Sequence, residues 1–234
     1  MHETRFAPIV LLFFLLITQS LLLSATQKVI LSYYKGDISI FRNKTLIYPE
    51  INMKILKGDS LVTEDDSYLE IRYEDGSVSS LEPNSTIMIN EIKKEKGLFT
   101  TRIKALVGSL LCKIKKLKKG ESFQVYTPTA AATVRGTVFE VVVKETQETS
   151  FNVLSGQLYA KALIEGAQTY LLRDKFTYFV GKEGIPDVRK LTDNELAALR
   201  NRAHAYIQDF IEEKKGEIEK GIKKGIKKGC LGFI

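Results

Sequence analysis

A chain of 234 residues with 44% apolar and 27% charged side chains can bury the core of one ordinary domain plus an appendage, which excludes both a disordered chain and a multi-span membrane protein. Its formal charge of +7 favours anionic partners. Two histidines, His2 and His204, and two distant cysteines, Cys112 and Cys230, are too few for a zinc site, a disulfide framework or ordinary imidazole catalysis.

At the start of the chain, residues 8–23 (PIVLLFFLLITQSLLL) form an apolar run behind Arg5, leading to the small residues Ser24 and Ala25. This pattern is that of a secretory signal peptide. Residues 1–25 are therefore expected to be a signal peptide or a membrane anchor. Both stay open, because Leu23 is large for a cleavage site and the run is barely long enough to span a bilayer. Either way the expected location is exported, in the periplasm or cell envelope.

From residue 26 to 185 the dominant period is two, and a β domain is expected. Leu69, Ile71 and Tyr73 alternate with Glu70, Arg72 and Glu74, as in a half-buried strand. The following Asp75-Gly76 supplies the positive backbone angle of a tight hairpin, with the partner strand at 78–81. Similar runs lie at 29–34, 38–41, 86–89, 123–126, 138–144, 151–154, 158–161, 170–172 and 176–180, separated by turn residues such as Lys35-Gly36-Asp37, Lys57-Gly58-Asp59, Pro83-Asn84-Ser85 and Ser155-Gly156. No helical crossover separates them. The expected fold class is all-β, a twisted β-sandwich or short β-roll.

The tract TPTAAATVRGTVFEVVV at 127–143 breaks this rhythm. Pro128 restricts Thr127 to an extended form and ends the preceding strand. Ala130, Ala131 and Ala132 are small enough to let backbones approach, and Gly136 suits an angle closed to other residues, re-aiming the chain before Phe139, Val141 and Val143 enter the core. Arg135 is a charge in an otherwise small, apolar stretch; buried, it would have to be paired.

This tract resembles the signature of the FecR-like domain family. Gly36-Asp37-Ile38, the segment ILKGDSLVTEDDSYLEIRYEDGSVSSL at 55–81, Val107-Gly108-Ser109-Leu110 and FNVLSGQLYA at 151–160 follow the family's order. The resemblance implies a FecR-like β body with signature residues Thr127, Pro128, Thr129, Ala130, Arg135, Gly136, Thr137 and Phe139. Two roles stay open for them: holding two sheets together, or a partner or ligand contact at Arg135 and Thr137. The members of the family best known by function carry an iron-siderophore signal from an outer-membrane receptor to a cytoplasmic sigma factor. Only seven residues precede the apolar run here, so a sigma-binding domain is not expected.

Between Glu91 and Gly120, ten cations face two acids. Ile103, Ala105 and Val107 alternate with them, which predicts strands bearing solvated lysines, open to an anionic glycan or lipid surface. Nucleic acid is not expected, since no aromatic stacking pattern accompanies the lysines.

The appendage at 190–230 is expected to be a basic amphipathic helix. Thr192-Asp193-Asn194-Glu195 has the form of a capping box, and Leu196, Leu199, Ala203, Ile207, Phe210 and Ile211 form an apolar stripe. The repeat GIKKGIKKGCLG begins at Gly221. Lys220, Lys223, Lys224, Lys227 and Lys228 are candidate contacts to an anionic surface, with packing on the domain and self-association through the helix as the alternatives. No G-x-S-x-G, H-E-x-x-H, dinucleotide or phosphate-loop pattern occurs. The expectation is a non-enzymatic envelope protein without cofactor or metal, acting as a binding or scaffolding module. The alternative is an extracytoplasmic signalling or sensor component that regulates a separate membrane protein.

Overall fold

The computed structural model describes residues 28–203. The expected leader, His204, Cys230 and the lysines from Lys220 to Lys228 lie outside the described residues. Within them, period-two alternation becomes sixteen strands: β1 (Val29–Lys35), β2 (Ile38–Arg42), β3 (Thr45–Ile47), β4 (Ser60–Thr63), β5 (Tyr68–Tyr73), β6 (Val78–Leu81), β7 (Ser85–Glu95), β8 (Leu98–Lys113), β9 (Ser122–Tyr126), β10 (Ala130–Val134), β11 (Val138–Val143), β12 (Thr149–Ser155), β13 (Leu158–Ala162), β14 (Thr169–Leu172), β15 (Phe176–Val180) and β16 (Pro186–Lys190). One helix, α1 (193–203), follows.

The strands make one connected, open sheet folded into two layers. Layer A runs β1-β5-β6-β8-β11-β12-β15-β16, and layer B runs β3-β2-β4-β7-β8-β9-β10-β13-β14. All pairs are antiparallel except β8 with β9. Strand β8 belongs to both layers: its first part pairs with β7 and β9, its last part with β6 and β11. The bend falls at Gly108, where φ is +89°. A Cβ there would lie 2.5 Å from the Ser85 Cα and 2.6 Å from the Asn84 carbonyl oxygen, so only glycine fits the backbone approach.

Alternation sends one side of each strand to a single core between the layers. From layer A come Leu69, Leu81, Leu110, Val141 and Phe151, cross-strand neighbours in one row and all buried. From layer B come Ile89, Ile103, Val125, Ala132 and Ala160, also in one row. Tyr73 of layer A meets Phe123 of layer B edge-on, with centroids 5.5 Å apart. Cys112 is buried in this core, within 3.2 Å of the Ser79 hydroxyl.

Helix α1 starts as its capping box predicts. The Thr192 amide donates to Glu195 Oε2 at 2.8 Å, and the Glu195 amide donates to Thr192 Oγ1 at 3.3 Å. Arg189 grips the same carboxylate with two nitrogens at 2.9 and 2.7 Å. Chiefly through that guanidinium, and then the Thr192 amide, the Glu195 pKa is held down at about 2. Leu196 and Leu199 turn inward and are buried, so α1 lies against the outer face of layer A.

Candidate functional site

The sequence tract singled out at 127–143 occupies two separate turns rather than one corner. Its first part, Thr127-Pro128-Thr129, is the loop of the β9–β10 hairpin and stays within layer B. Its second part, Arg135-Gly136-Thr137, carries the chain from β10 in layer B to β11 in layer A. The two parts do not meet in one corner: proline ends β9, but β10 must run its full length before the layers change.

The first turn is closed by a relay of hydroxyls. Thr129 donates to Thr149 Oγ1 at 2.9 Å, Thr149 to Thr127 Oγ1 at 2.9 Å, and Thr127 to the Ala130 carbonyl at 3.1 Å. The Ala130 amide returns a bond to Thr127 Oγ1 at 3.0 Å. Three buried or half-buried hydroxyls thereby satisfy one another and tie the loop to the start of β12. Ala130 and Ala132 face the core opposite Ala162 and Ala160 of β13, whereas Ala131 faces outward.

The second turn is a contact between two crossings. Gly136 has φ +76°, and the Ser155-Gly156 turn, where the chain returns from layer A to layer B, sits directly on it. A Cβ on Gly156 would strike the Gly136 carbonyl oxygen and lie 2.9 Å from the Thr137 Cα. Thr137, 2% exposed, donates its hydroxyl to the Gln157 carbonyl and accepts from the Gln157 amide at 3.2 Å. Its amide and carbonyl bond the Ile114 carbonyl and amide at 3.1 and 3.0 Å. Phe139 is fully buried beyond it.

Arg135 differs from its neighbours. It is exposed and has no hydrogen bond or ion pair among the described residues, so the requirement for a buried partner does not arise. Beside it lies the loop after β8: the position of a Gly136 Cβ would be 3.0 Å from the Lys116 Cα. Lys113 and Lys115 line a cleft of about 260 Å³ with Gly136 and Thr137. Lys113, Lys115, Lys116 and Arg135 are all exposed. Asp75, the nearby acid at the β5–β6 turn, is occupied by the Ser77 amide at 2.8 Å and hydroxyl at 3.0 Å. None of the four cations has an ion pair among the described residues, so the corner carries an excess of positive charge that favours an anion.

The sequence reading named Arg135 but not its company, since Lys113 and Lys115 are separated from it by two strands. Their shared corner follows only from the β8–β11 register, in which Lys113 pairs with Val138. Elsewhere in the basic segment charge is consumed locally: Lys93 pairs with Glu95 at 2.8 Å, Lys94 with Glu74, and Arg102 with Glu91 at 2.7 Å. Also unanticipated is Asp59 of the Lys57-Gly58-Asp59 turn. It is fully buried and accepts two bonds from Arg42 at 2.8 Å and one from the Leu56 amide at 2.8 Å, fixing that turn.

Chemically reactive groups are sparse. Burial pushes the Cys112 thiol up to about 12, which removes the thiolate a nucleophile needs. Among the described residues no group of three His, Cys, Asp or Glu side chains could hold a metal ion, and no helix is long and apolar enough to cross a membrane.

The two layers, the paired crossings and the exposed basic corner define a class of all-β module. Residues 59–159 match the family model described as FecR protein, so the chain carries a FecR domain over that stretch. Two crystal structures of a proposed anti-sigma factor from Parabacteroides distasonis ATCC 8503 are similar in fold. One has 16% identity and a TM-score of 0.50 over 59% of this chain and 62% of that one. The other has 15% identity and a TM-score of 0.49 over 59% and 63%. The chain thus matches less than two thirds of that protein's length, and at such identity the likeness concerns fold alone. No curated protein matches the sequence.

Proposed function

We propose that this protein is a non-catalytic FecR module of the cell envelope, exported by its N-terminal apolar segment, that works by binding another envelope protein at the basic corner formed by Arg135, Lys113, Lys115 and Lys116. The observation that carries the reading is the division of labour inside the signature. Thr127, Thr129, Gly136, Thr137 and Phe139 are consumed by the fold, whereas Arg135 projects free among unneutralised lysines. A partner presenting carboxylates would find rim charges that steer association and fix register.

A photo-cross-linking residue placed at the exposed position of Thr133, two residues from Arg135, in the full-length protein in cells tests this. One defined envelope protein should be captured, and the triple variant Lys113→Glu, Lys115→Glu, Lys116→Glu should lose it. Arg135→Met should unfold like the parent while losing the adduct partner's affinity. An unchanged adduct in the charge-reversed protein would end the proposal.

A second reading, an extracytoplasmic signalling component that regulates a separate membrane protein, is favoured by the FecR match and by the fold shared with a proposed anti-sigma factor. A neighbouring gene for a sigma factor, with transcription under its control altered on deletion of this protein, would separate it from a purely scaffolding role. The basic C-terminal segment with Lys220, Lys223, Lys224, Lys227 and Lys228 is then a further docking element for an anionic lipid or glycan surface or for a second copy of the chain. Truncation after Lys190 tests that role: unchanged partners would exclude it.

A further inference from the structure

The outer face of layer B, toward the end of β8 opposite Lys113, carries a groove of about 640 Å³, within the range of about 300–1,000 Å³ that small-molecule clefts occupy. Lys57, Met88, Asn90, Glu91, Arg102 and Tyr126 line it. It exists because β7 bulges between Ile89 and Glu91, pushing Asn90 outward, while the Lys57-Gly58 turn is pinned beside the bulge by the Gly58 amide on the Ile89 carbonyl at 2.7 Å.

The polar groups of this groove are held in advance. Gln124 Oε1 accepts from Arg102 Nε at 2.8 Å and from the Tyr126 hydroxyl at 3.0 Å. Arg102 Nη1 lies 2.7 Å from Glu91 Oε2. One side-chain oxygen thus orients both the guanidinium plane and the Tyr126 ring, the preorganisation a specific site requires. The Gln124 amide nitrogen and the Asn90 side chain have no partner among the described residues. Donors and acceptors therefore stand mixed around an aromatic ring, with the Met88 side chain at the other wall.

This chemistry selects the ligand class. An extended peptide docks through free main-chain edges, but β8 and β9 are paired on both sides along the groove, and on its far side β7 pairs with β4 up to Met88, after which the Ile89 amide and carbonyl are taken by Asp59 and Gly58. Single-stranded nucleic acid needs successive stacking rings, and Tyr126 is the one aromatic lining residue. Hydroxyl groups, each donor and acceptor at once, match the mixed amides, and a flat ring matches the apolar face of a sugar. Lys57 lies exposed on one flank. Lys104, exposed and paired in register with Met88 on one side and Tyr126 on the other, stands between them on the same face. Neither has an acidic partner among the described residues, so the groove keeps an excess of positive charge.

We infer that this groove binds a carboxylate-bearing oligosaccharide, with a pyranose face on Tyr126, hydroxyls on Asn90, Gln124 and Arg102, and the carboxylates toward Lys57 and Lys104. The site is separate from the basic corner and does not depend on its role.

Calorimetric titration of the full-length protein with trigalacturonate, and with cellotriose as the neutral counterpart, tests it. Saturable binding of trigalacturonate is expected, with cellotriose at least tenfold weaker. The exposed double variant Lys57→Glu, Lys104→Glu and the variant Tyr126→Leu should each lose at least tenfold, Tyr126→Phe should keep most of the affinity, and Lys113→Glu, Lys115→Glu should bind as the parent does. No saturable binding, equal affinity for the neutral sugar, or a loss shared equally by the Lys113 and Lys115 variants would overturn the assignment.

Discussion

The outer faces of the two layers invert the usual relation between burial and polarity. On layer A the row Glu70, Ser80, Leu111, Glu140, Asn152 and Thr177 is polar at five positions out of six, yet all but the half-buried Asn152 are less than a tenth exposed. On layer B the row Leu46, Phe41, Ser60 and Met88 is largely apolar, and its three apolar members are 46%, 37% and 37% exposed. Layer A can hide polar groups because they satisfy one another. Glu140 accepts from Asn152 at 3.0 Å and Ser109 at 3.2 Å, Asn152 accepts from Thr177 at 2.7 Å, and Arg202 of α1 completes the set with an ion pair at 2.7 Å. The lesson is that hydrophobicity alone does not identify the covered face; a connected polar network under a helix can be interior, and a bare apolar row can be surface left for recognition.

The contrast can be broken at several depths. The most damaging change removes the bend that separates the layers. Gly108→Val forces a β-branched residue into a positive φ and into the Ser85 backbone, and should cost about 3 kcal/mol or more in urea unfolding. Uncovering layer A comes next. Arg202→Ala strands the Glu140 carboxylate and should cost about 2–3 kcal/mol, below the range for wholly buried pairs because Arg202 still reaches solvent. Pairing it with Glu140→Leu should restore most of the loss, which a double-mutant cycle by chemical denaturation would measure.

Smaller effects sharpen the picture. Thr192→Ala should cost about 1 kcal/mol by deleting the helix cap. The same cap is acid-sensitive in a defined sense. The Glu195 pKa is lower folded, at about 2, than its ordinary 4.5, so its contribution is complete above pH 4.5 and fades as pH falls toward 2. Circular dichroism should show the helical signal declining across that window, and Glu195→Gln should flatten the decline. On layer B, Met88→Ser should shift stability by no more than about 0.5 kcal/mol, since the side chain is already open to water. A larger loss would mean that the bare face supports the fold.

Much of this architecture was legible from alternation. Nine of the eleven runs read as strands fall directly within strands of the fold, and the other two, 68–74 and 138–144, overrun β5 and β11 by one residue each. The turn at Asp75-Gly76 and the positive φ of Gly136 followed from residue chemistry alone. What escaped depends on distant pairing. β8 reads as one run of alternating residues, and nothing local says that its two ends serve different layers or that β9 joins it in parallel. The Lys96-Gly97 turn, with φ of +50° and +78°, extends β7 and β8 into a long hairpin, but lysines on both sides masked it as charged surface. Arg135 could be read either way, because its exposure is decided by Gly156 closing over Gly136 rather than over the arginine. The groove on layer B was visible only as parity: Arg102 and Lys104, like Gln124 and Tyr126, occupy the outward positions of their strands.

Strand β8 also settles how the molecule can fail. A sandwich with separate sheets has a seam along which a limited cut or a thermal opening can release one half. Here the bent strand at Gly108 is sewn into both, so neither layer can detach without stripping hydrogen bonds from the other. Proteolysis should therefore yield no stable half-module, and the slowest-exchanging amides should run through the bend from Ile103 to Cys112.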